Sequence, residues 1–203
     1  MAERRRGGPV AGRMTKEERR EQLLDTAGQL LLKEGWDALT MEAIAQSAGA
    51  SKTLGYAYFA NLDDLIWSLY DRELGLLFGR VEAGLANADT FEDRIRAAVA
   101  AYFDTVAENG AMLVRLQAGI VARRLNRDRP QRTVNFLEAL AAIIREEFGL
   151  SRRRAIAYAI VMAGIADSHG RAWAAETLGR AELEESCVRF MLAGVRDAVA
   201  AQT

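Results

Sequence analysis

Residues 40–59 constrain this chain more than any other stretch of it. They read Thr-Met-Glu-Ala-Ile-Ala-Gln-Ser-Ala-Gly-Ala-Ser-Lys-Thr-Leu-Gly-Tyr-Ala-Tyr-Phe. Thr40 offers a hydroxyl to the first-turn amides that a helix leaves unpaired. Met41, Ile44, Ala45 and Ala48 then fall at i, i+3, i+4 and i+7, one apolar helical face. Gly49 stops this helix, because glycine takes the left-handed conformation without a Cβ clash. Ser51 caps a second helix that runs to about Tyr58. The small side chains of Ala45 and Ala48 let the second helix cross closely over the first. The pattern predicts a helix-turn-helix, whose second helix can enter the major groove of DNA. An ordinary helical hairpin would bury both of its helices, whereas Lys52, Thr53, Tyr56 and Tyr58 project polar groups from a helix barely two turns long.

Gly35-Trp36, Thr40-Met41, Ile44-Ala45, Ala48-Gly49, Ser51-Lys52, Tyr56, Tyr58-Phe59 and Asp64-Leu65 together resemble the signature of the TetR family of one-component transcriptional regulators, over about residues 15–66. The resemblance implies an all-α homodimer with a three-helix head carrying the helix-turn-helix, here residues 15–61. A helical ligand-binding and dimerisation domain follows over 62–203. It implies a regulator, usually a repressor, released from a palindromic operator by a small ligand, with no enzymatic activity and no cofactor. In that arrangement Lys52 and the hydroxyl of Tyr56 contact phosphates, with Thr40 and Ser51 at the helix starts. Thr53, Leu54 and Tyr58 face base edges, Leu54 being able to touch a thymine methyl.

Two departures bear on this reading. The chain has Thr53-Leu54-Gly55 where the family often has Gly-Thr-Leu, and Leu62 where a lysine is frequent. Gly55 costs about 1 kcal/mol in a helix relative to alanine. The alternative is a helical ligand-binding module with weak or no DNA binding.

The rest of the chain is read for what it permits. Only Pro9 and Pro130 interrupt it, so long helices are possible. The net charge is −1, so DNA binding must come from a local positive face. The single cysteine, Cys187, excludes an internal disulfide framework and fits the reducing cytoplasm. With one histidine besides, no metal-ligand cluster is expected. Residues 1–14 hold Arg4, Arg5, Arg6 and Arg13 and are read as a disordered basic arm without a secretory signal.

Thr15 to Glu18 forms a capping box that opens the first long helix, closed by Gly35. Asn61 caps the next, which extends past Val81 and links head to body. Further helices are expected from Phe91, with a break at Asn109-Gly110, then over 111–125, then from about Pro130 to Phe148. Arg123, Arg124, Arg127, Arg129 and Arg132 are read as a solvated turn. Ser151 caps a helix to about Thr177, apolar on every face between Ala155 and Ala166 and too short to span a bilayer. With the final helix, 181–200, it is the expected homodimer interface.

Candidate ligand contacts are apolar-helix residues that carry a polar or aromatic handle: Tyr102, Arg115, Gln117, Phe136, Tyr158, Met162, His169 and Trp173. Asp167, Ser168 and His169 do not form a catalytic relay, because consecutive helical residues point in three directions.

Overall fold

The computed structural model describes residues 14–118 and 131–200 of the 203. They form eight α-helices and one 3₁₀ turn, with no strand among the described residues. The helices are α1 (Lys16–Glu34), α2 (Met41–Ser47), α3 (Lys52–Tyr58), α4 (Leu62–Ala86), α5 (Phe91–Ala118), α6 (Gln131–Phe148), α7 (Arg152–Ala174) and α8 (Arg180–Ala200). The 3₁₀ turn covers Trp36–Ala38. Two compact units divide the chain between Leu65 and Ile66, within the first turn of α4. The basic arm and the arginines at 123, 124, 127 and 129 lie outside the described residues.

Local hydrogen bonds set the helix starts of the head. Thr15 Oγ1 accepts from the amide of Glu18 at 3.1 Å, and the amide of Thr15 donates to Glu18 Oε2 at 2.7 Å. The amide of Ala43 donates to Thr40 Oγ1 at 3.0 Å, that of Leu54 to Ser51 Oγ at 3.2 Å, and that of Asp64 to Asn61 Oδ1 at 2.8 Å. Each such cap contributes about 1 kcal/mol. Between α2 and α3 the backbone reverses at Gly49, whose φ is +65°. Leu23, Leu24, Ala27 and Leu31 of α1 form the floor of the head's core, with Ile44, Ala45, Phe59 and Leu65 buried above them.

The body is built from longer helices held by aromatic and charged pairs. Phe78 of α4 stacks on Phe136 of α6, with ring centroids 4.5 Å apart. Phe91 of α5 meets Phe148 of α6 edge-on at 4.9 Å. Arg132 Nε donates to Asp71 Oδ2 at 2.8 Å, and its guanidinium lies against Gly75. The pairs Asp71–Arg132 and Phe78–Phe136 set α4 and α6 side by side in the same direction. α5 runs against both: Gly84 sits on the backbone of Ala97, and Gln117 reaches Tyr70.

Two expectations are corrected here. Asn109-Gly110 does not break the chain, because α5 runs unbroken from Phe91 to Ala118. Val106 and Leu113 keep the inward face continuous across it, and burial outweighs the local turn preference. Ser151 stands at the N-cap of α7, but its side chain makes no capping bond. No helix of the described residues is long and apolar enough to cross a membrane.

Candidate nucleic-acid interface and effector cavity

α3 presents its outer face because its inner face is nearly devoid of side chain. Gly55 is buried against α2, and a Cβ placed there would sit 3.3 Å from Met41 Cε and 3.7 Å from Ala45 Cβ. The family's usual leucine position is thus filled from the other side, by Met41. Leu54 does not replace it in the core: it is half-buried, as is Tyr58, while Lys52, Thr53 and Tyr56 are exposed. The hydroxyls of Thr40 and Ser51 accept capping bonds, which leaves each with a proton to donate outward.

Lys52 Nζ lies 3.2 Å from Glu42 Oε2. Both side chains are more than half exposed, so the pair contributes at most about 1 kcal/mol. From Met41 to Tyr58 the sequence holds one cation, Lys52, and one anion, Glu42. The positive face of this motif therefore rests on a single amine that shares its charge with a neighbouring carboxylate.

The body holds a partly open cavity of about 420 Å³. Its walls come from α4 (Tyr70 to Leu85), α5 (Ile95 to Gln117), α6 (Thr133 to Leu140) and α7 (Ile160 to Ala174), with Met191 of α8. The lining runs from Tyr70 to Leu85 along α4 and from Ile95 to Gln117 along α5, roughly 22–33 Å at about 1.5 Å per residue. Most of the lining is apolar, and the space opens toward solvent along α7, where Ile160, Gly164 and Arg171 are exposed.

Polar groups interrupt the tube at two levels. At one end Gln117 Nε2 donates to the hydroxyl of Tyr70 at 3.4 Å, beside Thr133. Burial pushes the ionisation of Tyr70 upward, the bond from Gln117 opposes this, and the charge of Asp167 adds to it. Partway along stand Tyr102, Asp167 and Arg171, the last two bonded to each other. Burial raises Tyr102 strongly, with Asp167 raising it further and Arg171 acting against, so its hydroxyl stays protonated at any physiological pH. The opposite end, around Leu85, Ile95 and Leu140, is apolar.

Of the eight candidate ligand contacts, Tyr102, Gln117, Phe136 and Met162 stand on this wall. Arg115, Tyr158, His169 and Trp173 do not. Arg115 is exposed and Tyr158 half-buried. Trp173 packs beside Phe103 at 5.7 Å, under the guanidinium of Arg180. His169 lies between α7 and α8: Nδ1 donates to the carbonyl of Ile165 at 2.8 Å, and Ser186 Oγ stands 3.2 Å from Nε2. Asp167 and Ser168 both bond to Arg171, so the three consecutive residues do not share a relay. Sequence reasoning missed Tyr70, Asp167 and Arg171 as lining groups. A tyrosine in each of two successive apolar helix faces was the available signal. Among the described residues no group of three His, Cys, Asp or Glu side chains lies together as a metal site.

The profile of "Bacterial regulatory proteins, tetR family" matches residues 23–68. The chain is 28% identical over 169 residues to the HTH-type transcriptional activator FasR of Mycolicibacterium smegmatis, covering 82% of this chain and 77% of the relative. Among solved structures it is similar to the fatty acid degradation regulator FadR of Bacillus halodurans, with TM-score 0.70, 19% identity and coverage of 89% of this chain and 97% of that one. It is likewise similar to FadR of Bacillus subtilis in complex with stearoyl-CoA, with TM-score 0.68, 20% identity and coverage of 86% and 98%.

Proposed function

This chain belongs to the tetR family of bacterial regulatory proteins, and from that premise we propose that it is a DNA-binding transcriptional regulator whose operator is released when a long acyl chain fills the tube in its body. It works by binding and not by catalysis. The observation that carries the ligand class is the lining of the cavity: long, mostly apolar, with Tyr70 and Gln117 as polar groups at one end and none around Leu85, Ile95 and Leu140 at the other. At roughly 1.25 Å of length per carbon, from C–C bonds of about 1.5 Å, the tube accepts about eighteen carbons or more. A structural relative named a fatty acid degradation regulator, and another solved in complex with stearoyl-CoA, point to the same chemistry.

On the DNA side, Lys52 and the hydroxyl of Tyr56 contact phosphates, with the outward hydroxyls of Thr40 and Ser51 beside them. Thr53, Leu54 and Tyr58 are positioned along α3 to meet base edges. Repression is the direction that the resemblance implies, while the FasR relative is named an activator. In either direction, the ligand acts by changing occupancy of the operator.

A homodimer through α7 and α8 completes the proposal. Val161 and Phe190 are exposed at 56% and 62%. Val161 lies in the same i±4 row of α7 as His169, whose ring faces Phe190 at 5.9 Å. An apolar strip shared by two neighbouring helices is the kind of surface that a second copy covers. Two heads then meet DNA about one helical turn apart or a multiple of it.

Fluorescence anisotropy of the DNA upstream of the protein's own coding region tests the reading. The protein should bind it at nanomolar to micromolar concentration, and stearoyl-CoA should release it. Tight binding that stearoyl-CoA leaves unchanged would reject the acyl ligand, and absence of binding would reject an operator there.

A further inference from the structure

The wall of the cavity is incomplete along one side of a single chain. Ile160 and Gly164 line it from α7, yet both are exposed. A Cβ on Gly164 would meet no atom within 4 Å. Val161, 56% exposed, precedes Gly164 by three residues, so the two are neighbours on the helix surface. The opening and the apolar strip of α7 are therefore one continuous surface. From Ala155 to Ala166 the sequence carries no charge on any face, so this surface suits neither water nor a charged partner.

Charges flank it at its ends. Arg153 and Arg154 lie in the first turn of α7 and Glu182 in the first turn of α8, all exposed, and among the described residues none of the three has a salt-bridge partner. α7 and α8 are joined by residues 175–179 alone and run antiparallel, so those first turns lie at opposite ends of the pair. A two-fold axis through the middle of the strip turns a second copy end for end. Arg153 and Arg154 then stand beside Glu182 of the partner subunit, with the exposed Val161 and Phe190 between the charged ends. The strip is thus complementary to itself.

We propose that the second copy is the missing wall: it closes the α7 side of the cavity, so that an acyl ligand touches both chains and binds the dimer in preference to the monomer. This rests on the dimer and acyl readings and deepens both. Val114 of α5, 46% exposed and three residues from Gln117, leaves a second opening at the polar end. A ligand that touches both chains strengthens their association by the same factor by which association strengthens its binding. Operator release then takes place within an intact dimer and not by its dissociation.

Fluorescence-detected sedimentation velocity and titration calorimetry on the full chain test the inference. The wild type should be a dimer whose dissociation constant, read by dilution from about 10 µM to about 10 nM, falls at least about tenfold in saturating stearoyl-CoA. Val161→Arg, at a residue that does not line the cavity of its own chain, should be monomeric and bind stearoyl-CoA at least about tenfold more weakly. Glu182→Arg serves where that variant folds poorly: it should weaken dimer and ligand binding together, and adding Arg154→Glu should recover both. A dimer indifferent to stearoyl-CoA, or a monomeric variant that binds it as tightly as the wild type, would overturn the inference and leave the acyl reading standing. A wild type that stays monomeric at about 10 µM would overturn it together with the dimer. A wild-type dimer that binds no stearoyl-CoA would overturn it together with the acyl reading.

Discussion

The head closes two seven-residue helices on each other with hydroxyl caps and a glycine at the crossing, whereas the body holds helices of 18–28 residues apart around a tube. In the head the helix starts and the turn are set locally. Thr40 caps a helix that starts one residue later, and Gly49 reverses the chain two residues after it ends. In the body the determinants are pairs distant in sequence, such as Phe78 with Phe136 and Tyr102 with Gly170. The head is specified by what fills its crossing, and the body by what its helices leave unfilled.

Filling the tube is the change that breaks this contrast most sharply. Ala98 is buried on the wall, and Ala98→Phe puts a ring into the space that the acyl chain fills. Stearoyl-CoA affinity should fall by at least about 100-fold, about 2.7 kcal/mol, while operator affinity measured by anisotropy stays within about twofold. Loss of both together would mean that the body cannot be altered independently of DNA binding.

The two regions should also answer oppositely to the same substitution. At Gly84 an added Cβ would lie 2.9 Å from the carbonyl carbon and oxygen of Ala97, backbone atoms that cannot step aside. Gly84→Ala should therefore destabilise by about 1–2 kcal/mol in urea unfolding, overpacking exceeding the gain in helix propensity. At Gly55 the nearest atom is the mobile Met41 Cε at 3.3 Å. Gly55→Ala should be neutral or stabilise by up to about 1 kcal/mol. Destabilisation of both to the same extent would erase the distinction between a flexible and a rigid crossing.

Smaller again is the contribution of the one cation in the motif. Lys52→Ala should weaken binding by a similar factor on all DNA sequences and make the salt slope shallower by about one unit. Glu42→Gln, which frees Lys52 and removes an anion, should strengthen binding. An unchanged salt slope in Lys52→Ala would place α3 in another orientation on DNA.

An effect that vanishes at neutral pH and emerges only in alkali lies in the body's core. Cys187 is fully buried, and burial pushes its thiol up to about 12. The unfolded chain loses this proton near pH 8.5, so above that pH the folded state binds more protons than the unfolded one. The stability the thiol confers is whole below that pH and should decline by about 1.4 kcal/mol per pH unit up to about 12. The difference between wild-type and Cys187→Ala unfolding curves isolates that slope. A difference independent of pH would mean that the thiol is reached by solvent.

These contrasts also explain what the sequence made legible. Capping boxes, turn glycines and the apolar face of α2 lie within a few residues of one another, so the head could be read directly. The continuity of α5 through Asn109-Gly110 could not, because it depends on Val106 and Leu113 facing partners elsewhere in the body. The polar set along the tube was only partly legible. Tyr102 and Gln117 stood out as polar handles, but Asp167 drew attention only as a neighbour of His169. A void is a property of several helices jointly, and no single stretch records it.

The central claim is that the body's ligand and the operator compete through one protein. Calorimetric titration of stearoyl-CoA into the protein, free and saturated with its operator, measures this directly. Linkage requires operator DNA to weaken stearoyl-CoA binding by the same factor by which stearoyl-CoA weakens operator binding, with about 1.4 kcal/mol of coupling for each tenfold change. The account predicts a loss of at least about tenfold, matched in both directions. Equal stearoyl-CoA affinities in the two titrations would contradict it.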